Sequence, residues 1–298
     1  MVPARIEGQG LGVNLARPSK LRALLVLGRV SNLPTVWSNC AAGWWLAGGG
    51  SRARLIGISI AVSFLYLAGM FLNDAFDASF DWNNRRTRPI PSGIIKEGEV
   101  WVWGCVLMLL GLIGMAFLGA HTAILGLVLA ACIIFYNAVH KISGASVIVM
   151  GTCRCLVYVA AASVASEGVT GESIWKGLAL ACYIIGLSCL ARKETAPVRI
   201  QYWPCILLVA PVCMAALFDD GPDQRAASVC SILLLLWIGW TLFQIFGREH
   251  PNVGLAVSRL LAGIALVDML AVADWSHSAI FPVWFLLALL MQRFIPAT

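Results

Sequence analysis

The chain has 298 residues, of which 60% are hydrophobic and only 12% are charged, and its mean hydropathy is +0.84. Soluble domains carry about 25% charged residues, so this composition excludes a soluble globular protein. The formal net charge of +6 requires no nucleic-acid partner, because cations at a membrane surface face anionic lipid.

Ten apolar segments follow one another along the chain, and most are long enough to cross a bilayer as a helix. Unbroken apolar runs disfavour a β-barrel, whose strands alternate in polarity. The predicted fold class is therefore an all-α polytopic membrane protein, with a tight turn at Ala120 and His121. The segments run approximately over residues 22–47, 54–76, 100–119, 121–139, 146–166, 173–191, 203–218, 226–246, 255–273 and 279–295.

The distribution of Lys and Arg predicts the orientation in the membrane. With a cytoplasmic N-terminus and ten spans, fourteen of the 21 Lys and Arg residues face the cytoplasm, four face the other side and three lie inside segments. Residues 1–20 then form a polar cytoplasmic segment with no removable signal peptide, and residues 21–298 form one transmembrane domain. We expect the bacterial inner membrane, with the loops after segments two, four and six on the cytoplasmic face.

The second segment ends in the stretch FLNDAFDASFDWNNRRTRPIPSG, which carries an amide and three carboxylates. Asn73, Asp77 and Asp81 are spaced i, i+4 and i+8, and Asp74 precedes the later acids by three and seven residues, so a continuing helix places all four on one face. Converging carboxylates repel one another unless a cation binds. Oxygen ligands suit Mg²⁺, which usually shares its shell with a substrate phosphate. These four residues are the predicted metal ligands.

The loop after these acids is basic. Arg85, Arg86 and Arg88 have no acid to pair with in the same loop before Glu97. Their planar guanidinium groups match phosphate oxygens. Acids for a metal beside arginines for an anion predict a diphosphate ligand, and the alternative is an acidic helix end solvated at the membrane surface.

The fourth segment ends with Tyr136 and His140 at i and i+4, followed by Lys141. A phenol and a cation on one face can hold a phosphate. The alternative is an aromatic residue at the membrane interface beside cations that reach toward water.

Two arginines lie deep within apolar segments. Arg154 lies in the middle of ASVIVMGTCRCLVYVAAASVA, where lipid exposure would cost roughly 3 kcal/mol, so its side chain is expected to face a cavity or a partner. Arg259 follows the same logic but has a nearby acid, Asp268, as its expected partner.

The sixth segment ends in ARKE, which contains Arg192, Lys193 and Glu194. Glu194 is the only acid near this end and is a candidate ligand for a second metal ion. The two flanking cations suit an anion.

The spacing N-D-x-x-D-x-x-x-D from Asn73 to Asp81 is the signature of the UbiA superfamily of intramembrane prenyltransferases, and R-x-R-P-I-P-S-G resembles the loop that follows it in that family. The stretch YNAVHK is similar to the family's Y-x-x-x-K element, with His140 in the Lys place and Lys141 one residue late. The resemblance covers nearly the whole chain, and its first motif is the most specific.

Three stretches resemble the EboC-like branch of this superfamily: GRVSNLPTVWSN, in which Pro34 predicts a break in the first segment, GTCRCLVYVAAAS, and ARKE. Most members carry a second Asp-rich motif where this chain has ARKE. Either Glu194 supports a reduced second metal site, or Arg192 and Lys193 replace that metal as charge neutralisers.

The resemblance implies a UbiA-like bundle of nine, or ten, transmembrane helices around a central cavity, so one of the last predicted segments is extra, re-entrant or lies on the membrane. It implies a prenyltransferase with Mg²⁺ as cofactor and with an isoprenyl diphosphate, a small-molecule acceptor and membrane lipid as partners. The expected catalytic residues are Asp77, Asp81, Tyr136 and Arg192. The expected substrate-binding residues are Arg29, Asn32, Arg88, His140, Lys141, Arg154 and Lys193, and the expected metal ligands are Asn73, Asp74, Asp77, Asp81 and Glu194.

Two alternative functions stay open on the sequence. A terpene cyclase of the same superfamily would ionise the diphosphate without an acceptor. A non-catalytic lipid carrier or transporter would bind its ligand without releasing diphosphate, although acids clustered at one face of the membrane suit a carrier poorly.

Overall fold

The computed structural model describes residues 19–192, 203–218, 224–246 and 252–297, and within these ranges the regular secondary structure is entirely helical. The first seven α-helices are α1 (Lys20–Leu27), α2 (Leu33–Trp45), α3 (Arg52–Phe76), α4 (Ala78–Asn84), α5 (Glu97–Leu118), α6 (Ala120–Val139) and α7 (Ser146–Ala162). The remaining helices are α8 (Gly171–Ala191), α9 (Pro204–Phe218), α10 (Gln224–Phe246), α11 (Val253–Ala262), α12 (Ile264–Val272), α13 (Trp275–Ser278) and α14 (Phe281–Gln292).

Within the described ranges, seven helical stretches are long and apolar enough to cross a membrane. They are α3, α5, α6, α8, α10, the α11–α12 pair over Val253–Val272 and the α13–α14 pair over Trp275–Gln292. Helix α7 and residues Pro204–Leu217 of α9 are shorter apolar helices. The chain is an integral multi-pass membrane protein. Its helical secondary structure confirms the predicted all-α class. The exact number of nine or ten spans stays a prediction.

The first predicted segment is broken just before Pro34. Helix α1 ends at Leu27, Arg29 adopts the left-handed conformation with a φ of 43°, and a 3₁₀ turn over Val30–Asn32 leads into α2. Pro34 lies in the first turn of α2, where a missing N–H leaves no hydrogen bond unmade. The break turns Arg29 toward the end of α3.

The predicted tight turn between the third and fourth segments lies one residue earlier than expected. Gly119 alone separates α5 from α6, and its φ of 143° belongs to a region that glycine favours over other residues. The two helices therefore form an antiparallel hairpin with almost no loop.

Small residues bring α5 close to α3. A Cβ atom at Gly104 would lie 2.8 Å from Leu72, and one at Gly111 would lie 2.7 Å from Leu65. Because neighbouring helices in lipid are held by close packing, these glycines fix the position of α3 and of the polar residues at its end.

Asp268 on α12 is fully buried and binds α2 and α7 instead of Arg259. Ser38, Asn39 and Tyr158 all donate hydrogen bonds to its carboxylate, with Asn39 Nδ2 at 2.8 and 2.9 Å and Tyr158 Oη at 2.5 Å. The Arg259 guanidinium instead lies 4.3 Å from the ring centre of Trp240. The expected pairing of Arg259 with Asp268 is therefore wrong, because three neutral donors already surround the carboxylate.

Candidate active site

The four predicted metal ligands lie together at one end of the bundle. Asn73 and Asp74 occupy the last turn of α3, Asp77 joins α3 to α4, and Asp81 lies in α4. Backbone hydrogen bonds from Asp77 N to Asn73 O and from Asp81 N to Asp77 O continue the helical i to i−4 pattern across the junction. All four side chains are buried, and Asp81 is only 2% exposed. The predicted common face is confirmed by this continuity.

Arg88 joins two of the acids. Its Nη1 atom donates to Asp74 Oδ1 at 2.9 Å and to Asp81 Oδ2 at 3.2 Å. Arg88 finds its acidic partners outside its own loop, because the loop folds back over the preceding helix. One cation therefore bridges two buried carboxylates.

The third acid, Asp77, pairs with side chains from another loop. Lys141 Nζ lies 2.7 Å from Asp77 Oδ1, and His140 Nε2 lies 3.3 Å from the same oxygen. Burial raises the pKa of Asp77, but the hydrogen bonds from His140 and Lys141 outweigh it and bring that pKa below its ordinary value. The ring of Tyr136 stacks on His140 with centroids 5.3 Å apart. The predicted trio at the end of α6 thus faces the acids.

Arg29 approaches the same cluster from the break between α1 and α2. Its Nη2 atom lies 3.5 Å from Asn73 Oδ1 and 3.9 Å from Asp74 Oδ1. A left-handed backbone costs a non-glycine residue about 1 kcal/mol or more, and here it directs the guanidinium toward the acids. Asn32 is placed differently: its Nδ2 atom donates to the carbonyl of Ala297 at 3.1 Å.

Asn137 belongs to the site and was not predicted. Its Oδ1 accepts from Asn73 Nδ2 at 3.2 Å, and its own Nδ2 donates to the Gly69 carbonyl at 3.2 Å. It therefore fixes the orientation of the Asn73 amide. Its position one residue after Tyr136 was the available signal, but a helical wheel alone does not show which neighbouring helix it meets.

The donor set suits a Mg²⁺ ion that shares its shell with a ligand. Within the described part of the chain, no group of three or more His, Cys, Asp or Glu side chains converges as a metal site. Asp74 and Asp81 nevertheless share one cationic nitrogen, and Asp81 Oδ1 is buried without a hydrogen-bond partner. Mg²⁺ needs only one or two carboxylates when substrate phosphates and water complete its shell. The residues therefore fit a Mg²⁺ ion that arrives with a phosphorylated substrate.

Arg192 lies at the end of α8 and reaches the loop that follows Lys141. Its Nη1 atom donates to the carbonyls of Ser143 and Gly144, at 2.9 and 3.2 Å, and to Ser146 Oγ at 3.0 Å. These contacts tie the guanidinium to the start of α7 and to the loop before it. The other two residues assigned on ARKE, Lys193 and Glu194, lie outside the described residues.

Arg154 faces a cavity, as predicted for an arginine at this depth. The cavity has a volume of about 90 Å³ and is lined by residues of α2, α3, α6 and α7. Tyr136 and Asn137 lie at its lining and connect it to the acidic cluster. The candidate site therefore has a charged end and an apolar chamber beside it.

A family model described as the UbiA prenyltransferase family matches residues 33–294. The 4-hydroxybenzoate octaprenyltransferase of Serratia proteamaculans is 29% identical over 233 residues, covering 75% of this chain and 74% of that protein. The digeranylgeranylglyceryl phosphate synthase of Sulfurisphaera tokodaii is 32% identical over 83 residues, which are 28% of this chain and 30% of the synthase. Five curated relatives are matched over only 25% to 43% of their own length.

Solved structures share the fold. A UbiA homolog from Archaeoglobus fulgidus bound to GPP and Mg²⁺ superposes with a TM-score of 0.62 at 17% identity, covering 84% of this chain and 98% of that one. The apo structure of a UbiA homolog from Aeropyrum pernix K1 gives a TM-score of 0.63 at 16% identity, covering 81% and 96%. At these identities the likeness establishes the architecture alone.

Proposed function

The chain belongs to the UbiA prenyltransferase family, and from this premise we propose that it is an intramembrane Mg²⁺-dependent prenyltransferase. It ionises an isoprenyl diphosphate and transfers the prenyl group to a small-molecule acceptor. One observation carries the proposal: three buried carboxylates at the end of α3 and in α4 are matched by cations from two separate loops. Its membership of the EboC-like branch stays a prediction.

Asn73, Asp74, Asp77 and Asp81 would hold the metal. Bound Mg²⁺ supplies positive charge on the diphosphate, which makes it a better leaving group. The free oxygen of Asp81 and the oxygen-only donor set support this assignment. Glu194 stays a proposed ligand of a second ion.

The cations of the site would change partners when substrate binds. Arg88 and Lys141 are held by carboxylates in the structure, at 2.9 and 2.7 Å. With those carboxylates engaged in holding Mg²⁺, the side chains of Arg88 and Lys141 would be available to phosphate oxygens, to which guanidinium and ammonium groups bind strongly. Arg29, His140 and Tyr136 border the same position, and Lys193 is assigned to substrate binding on the sequence alone.

The reaction breaks the bond between the prenyl C1 and the diphosphate oxygen, and the electron pair leaves with the diphosphate. The acceptor's nucleophilic atom then bonds to C1 and releases a proton to water or to the departing diphosphate. The cations around the acids act where negative charge grows, which is the step at which fixed charges accelerate a reaction most. Arg192 is proposed to act through the loop over residues 143–146 that follows Lys141, so we assign it to positioning.

We propose that the site faces the cytoplasm of a bacterial inner membrane, with residues 1–20 as a polar segment on that side and 21–298 as the catalytic domain. The excess of Lys and Arg in three loops supports this orientation. In a cysteine-free background, Ser92→Cys and Ser51→Cys should react with a membrane-impermeant thiol reagent from opposite sides. Labelling of both from one side would contradict the orientation.

The activity is tested with purified protein in nanodiscs that contain Mg²⁺ and prenyl diphosphates of several chain lengths, with and without a cell extract as acceptor source. We expect diphosphate release together with a prenylated product detected by mass spectrometry. A cyclised hydrocarbon formed without extract would assign a terpene cyclase instead. Binding without diphosphate release under every condition would refute the enzyme and leave a lipid carrier.

A further inference from the structure

Arg29 reaches the acidic cluster from a strained backbone. A left-handed residue just after a helix is usually glycine, but here Arg29 takes that conformation and the preceding Gly28 does not. Left-handed non-glycine residues persist only where the surrounding structure holds them, and they are concentrated at functional sites. The chain thus carries backbone strain at the residue whose guanidinium faces the acids, which raises the question of what holds it there.

Three hydrogen bonds hold the backbone of Arg29. Its N–H donates to the Val26 carbonyl at 3.0 Å, and its own carbonyl accepts from the N–H of Asn32 at 3.0 Å and from the Tyr66 hydroxyl at 3.4 Å. The bond from Asn32 closes the 3₁₀ turn over Val30–Asn32. A shift of Asn32 would therefore loosen the turn that sets the direction of the Arg29 side chain.

Asn32 is itself held by a residue 265 positions further along the chain. Its Nδ2 atom donates to the carbonyl of Ala297 at 3.1 Å, and each of the two residues is only 3% exposed. The carbonyl of Asn32 accepts from Thr35 Oγ1 at 2.7 Å, which ties the turn to α2. Ala297 follows α14, so the amide of Asn32 joins the stretch after α14 to the break in the first segment.

We propose that the contact between Asn32 and Ala297 is a latch that positions Arg29 for the diphosphate. Asn32 then acts through Arg29 and is a positioning residue, because its amide nitrogen is engaged by a backbone carbonyl. Without the latch, a left-handed arginine would relax toward more favourable backbone conformations, and its guanidinium would move away from the acids. This inference rests on the proposed prenyl transfer, in which Arg29 borders the diphosphate.

The test is a double-mutant cycle on the binding of inorganic pyrophosphate with Mg²⁺, measured by calorimetric titration of purified protein in nanodiscs. Asn32→Ala and Arg29→Met should each weaken binding about tenfold, the scale for one hydrogen bond to a charged group. The double variant should bind no more weakly than Arg29→Met, because Asn32 has no effect once Arg29 is absent. Additive losses would overturn the inference. If Asn32→Ala does not fold, Asn32→Leu keeps the volume and removes the same donor.

A second variant disturbs the latch from its other side. Ala297 is buried, so the large side chain of Ala297→Trp should push its carbonyl away from Asn32. Binding should fall as in Asn32→Ala, and the loss should again disappear when Arg29→Met is added. Unchanged binding in Ala297→Trp would overturn the inference.

Thr122→Val is the matched control for the loss of a buried hydrogen bond. Thr122 is buried in the first turn of α6, at the opposite end of that helix from Asn137, and its Oγ1 lies 2.8 Å from Ser163 Oγ. The variant should lower stability and leave pyrophosphate binding unchanged. A loss equal to that of Asn32→Ala would make the effect structural and would overturn the inference.

Diphosphate release from prenyl diphosphates by the unaltered protein tests the proposed function separately. If release is absent while the cycle is non-additive, prenyl transfer is refuted and the latch on Arg29 stands. If release occurs and the losses are additive, only the latch is refuted. Absence of pyrophosphate binding by the unaltered protein would refute both.

Discussion

Within the described residues, two clusters bury acids, and the side chains that pair with those acids differ in kind. In the cluster at the end of α3, Asp74, Asp77 and Asp81 are held by charged side chains that come from loops. In the cluster within the bundle, Asp268 accepts hydrogen bonds from Ser38, Asn39 and Tyr158, which all lie on helices. The first set of partners can move without unpacking a helix, and the second cannot.

The difference separates a reactive site from a structural one. A carboxylate held by a cation from a loop can exchange that cation for a metal ion, because a positive charge stays beside it throughout. A carboxylate saturated by neutral donors on packed helices gains nothing from exchange and instead ties α2, α7 and α12 together. Burial alone does not distinguish the two, since Asp81 is 2% exposed and Asp268 is fully buried.

The largest effect is expected from the loop-paired acids. Asp77→Ala and Asp81→Ala should each reduce diphosphate release about a thousandfold, because the metal and its charge are lost. Asn84→Ala is the matched control, since Asn84 is exposed on the same α4 helix and donates only to its own turn. Removal of Mg²⁺ with EDTA should stop the reaction as well. Full activity in EDTA would contradict the metal assignment.

The next effect tests partner exchange directly. Arg88→Ala should lower kcat about a hundredfold, the scale for removing one well-placed stabilising group. In the absence of substrate the same variant should bind Mg²⁺ about tenfold more tightly, because Asp74 and Asp81 lose their internal cation. Arg86→Ala, an exposed change in the same loop, is the control. Equal losses in both variants would mean that Arg88 has no special role.

The helix-bound acid should behave in the opposite way. Asp268→Asn should reduce the free energy of unfolding in detergent by about 2 kcal/mol, because at least one buried donor loses its acceptor. Diphosphate release per folded molecule should stay within about threefold of the unaltered rate. A thousandfold loss of activity with unchanged stability would place Asp268 in the reaction and erase the contrast between the clusters.

The smallest effect is expected at the loop that carries the cations. Arg192→Ala should lower kcat about tenfold with little change in KM, because the three contacts to residues 143–146 position the loop and do not bind substrate. Ser146→Ala removes one of these contacts and should cost less. If Glu194→Ala proves inactive while Arg192→Ala is nearly normal, Glu194 holds a second metal ion and the assignment of this loop changes.

Local sequence information was sufficient for the class of protein and for the acidic face. Hydropathy over about 20 residues identifies a spanning helix, and the spacing of Asn73, Asp74, Asp77 and Asp81 defines one helical face whatever surrounds it. The same local logic placed Tyr136, His140 and Lys141 on one side of a helix end. These properties depend only on neighbours in the chain, so they can be predicted without knowledge of how the helices pack.

The partners were decided by the tertiary structure. Arg88 folds back over the preceding helix, Asn137 meets Asn73 across 64 residues of sequence, and Asp268 meets Ser38 across 230. The sequence provides no measure of which of several polar groups on ten apolar segments will meet, because close approach between helices depends on packing at positions such as Gly104 and Gly111. For the same reason, the sequence identified Arg154 as a residue that must face a cavity or a partner, while only the packed helices α2, α3, α6 and α7 show where that cavity lies.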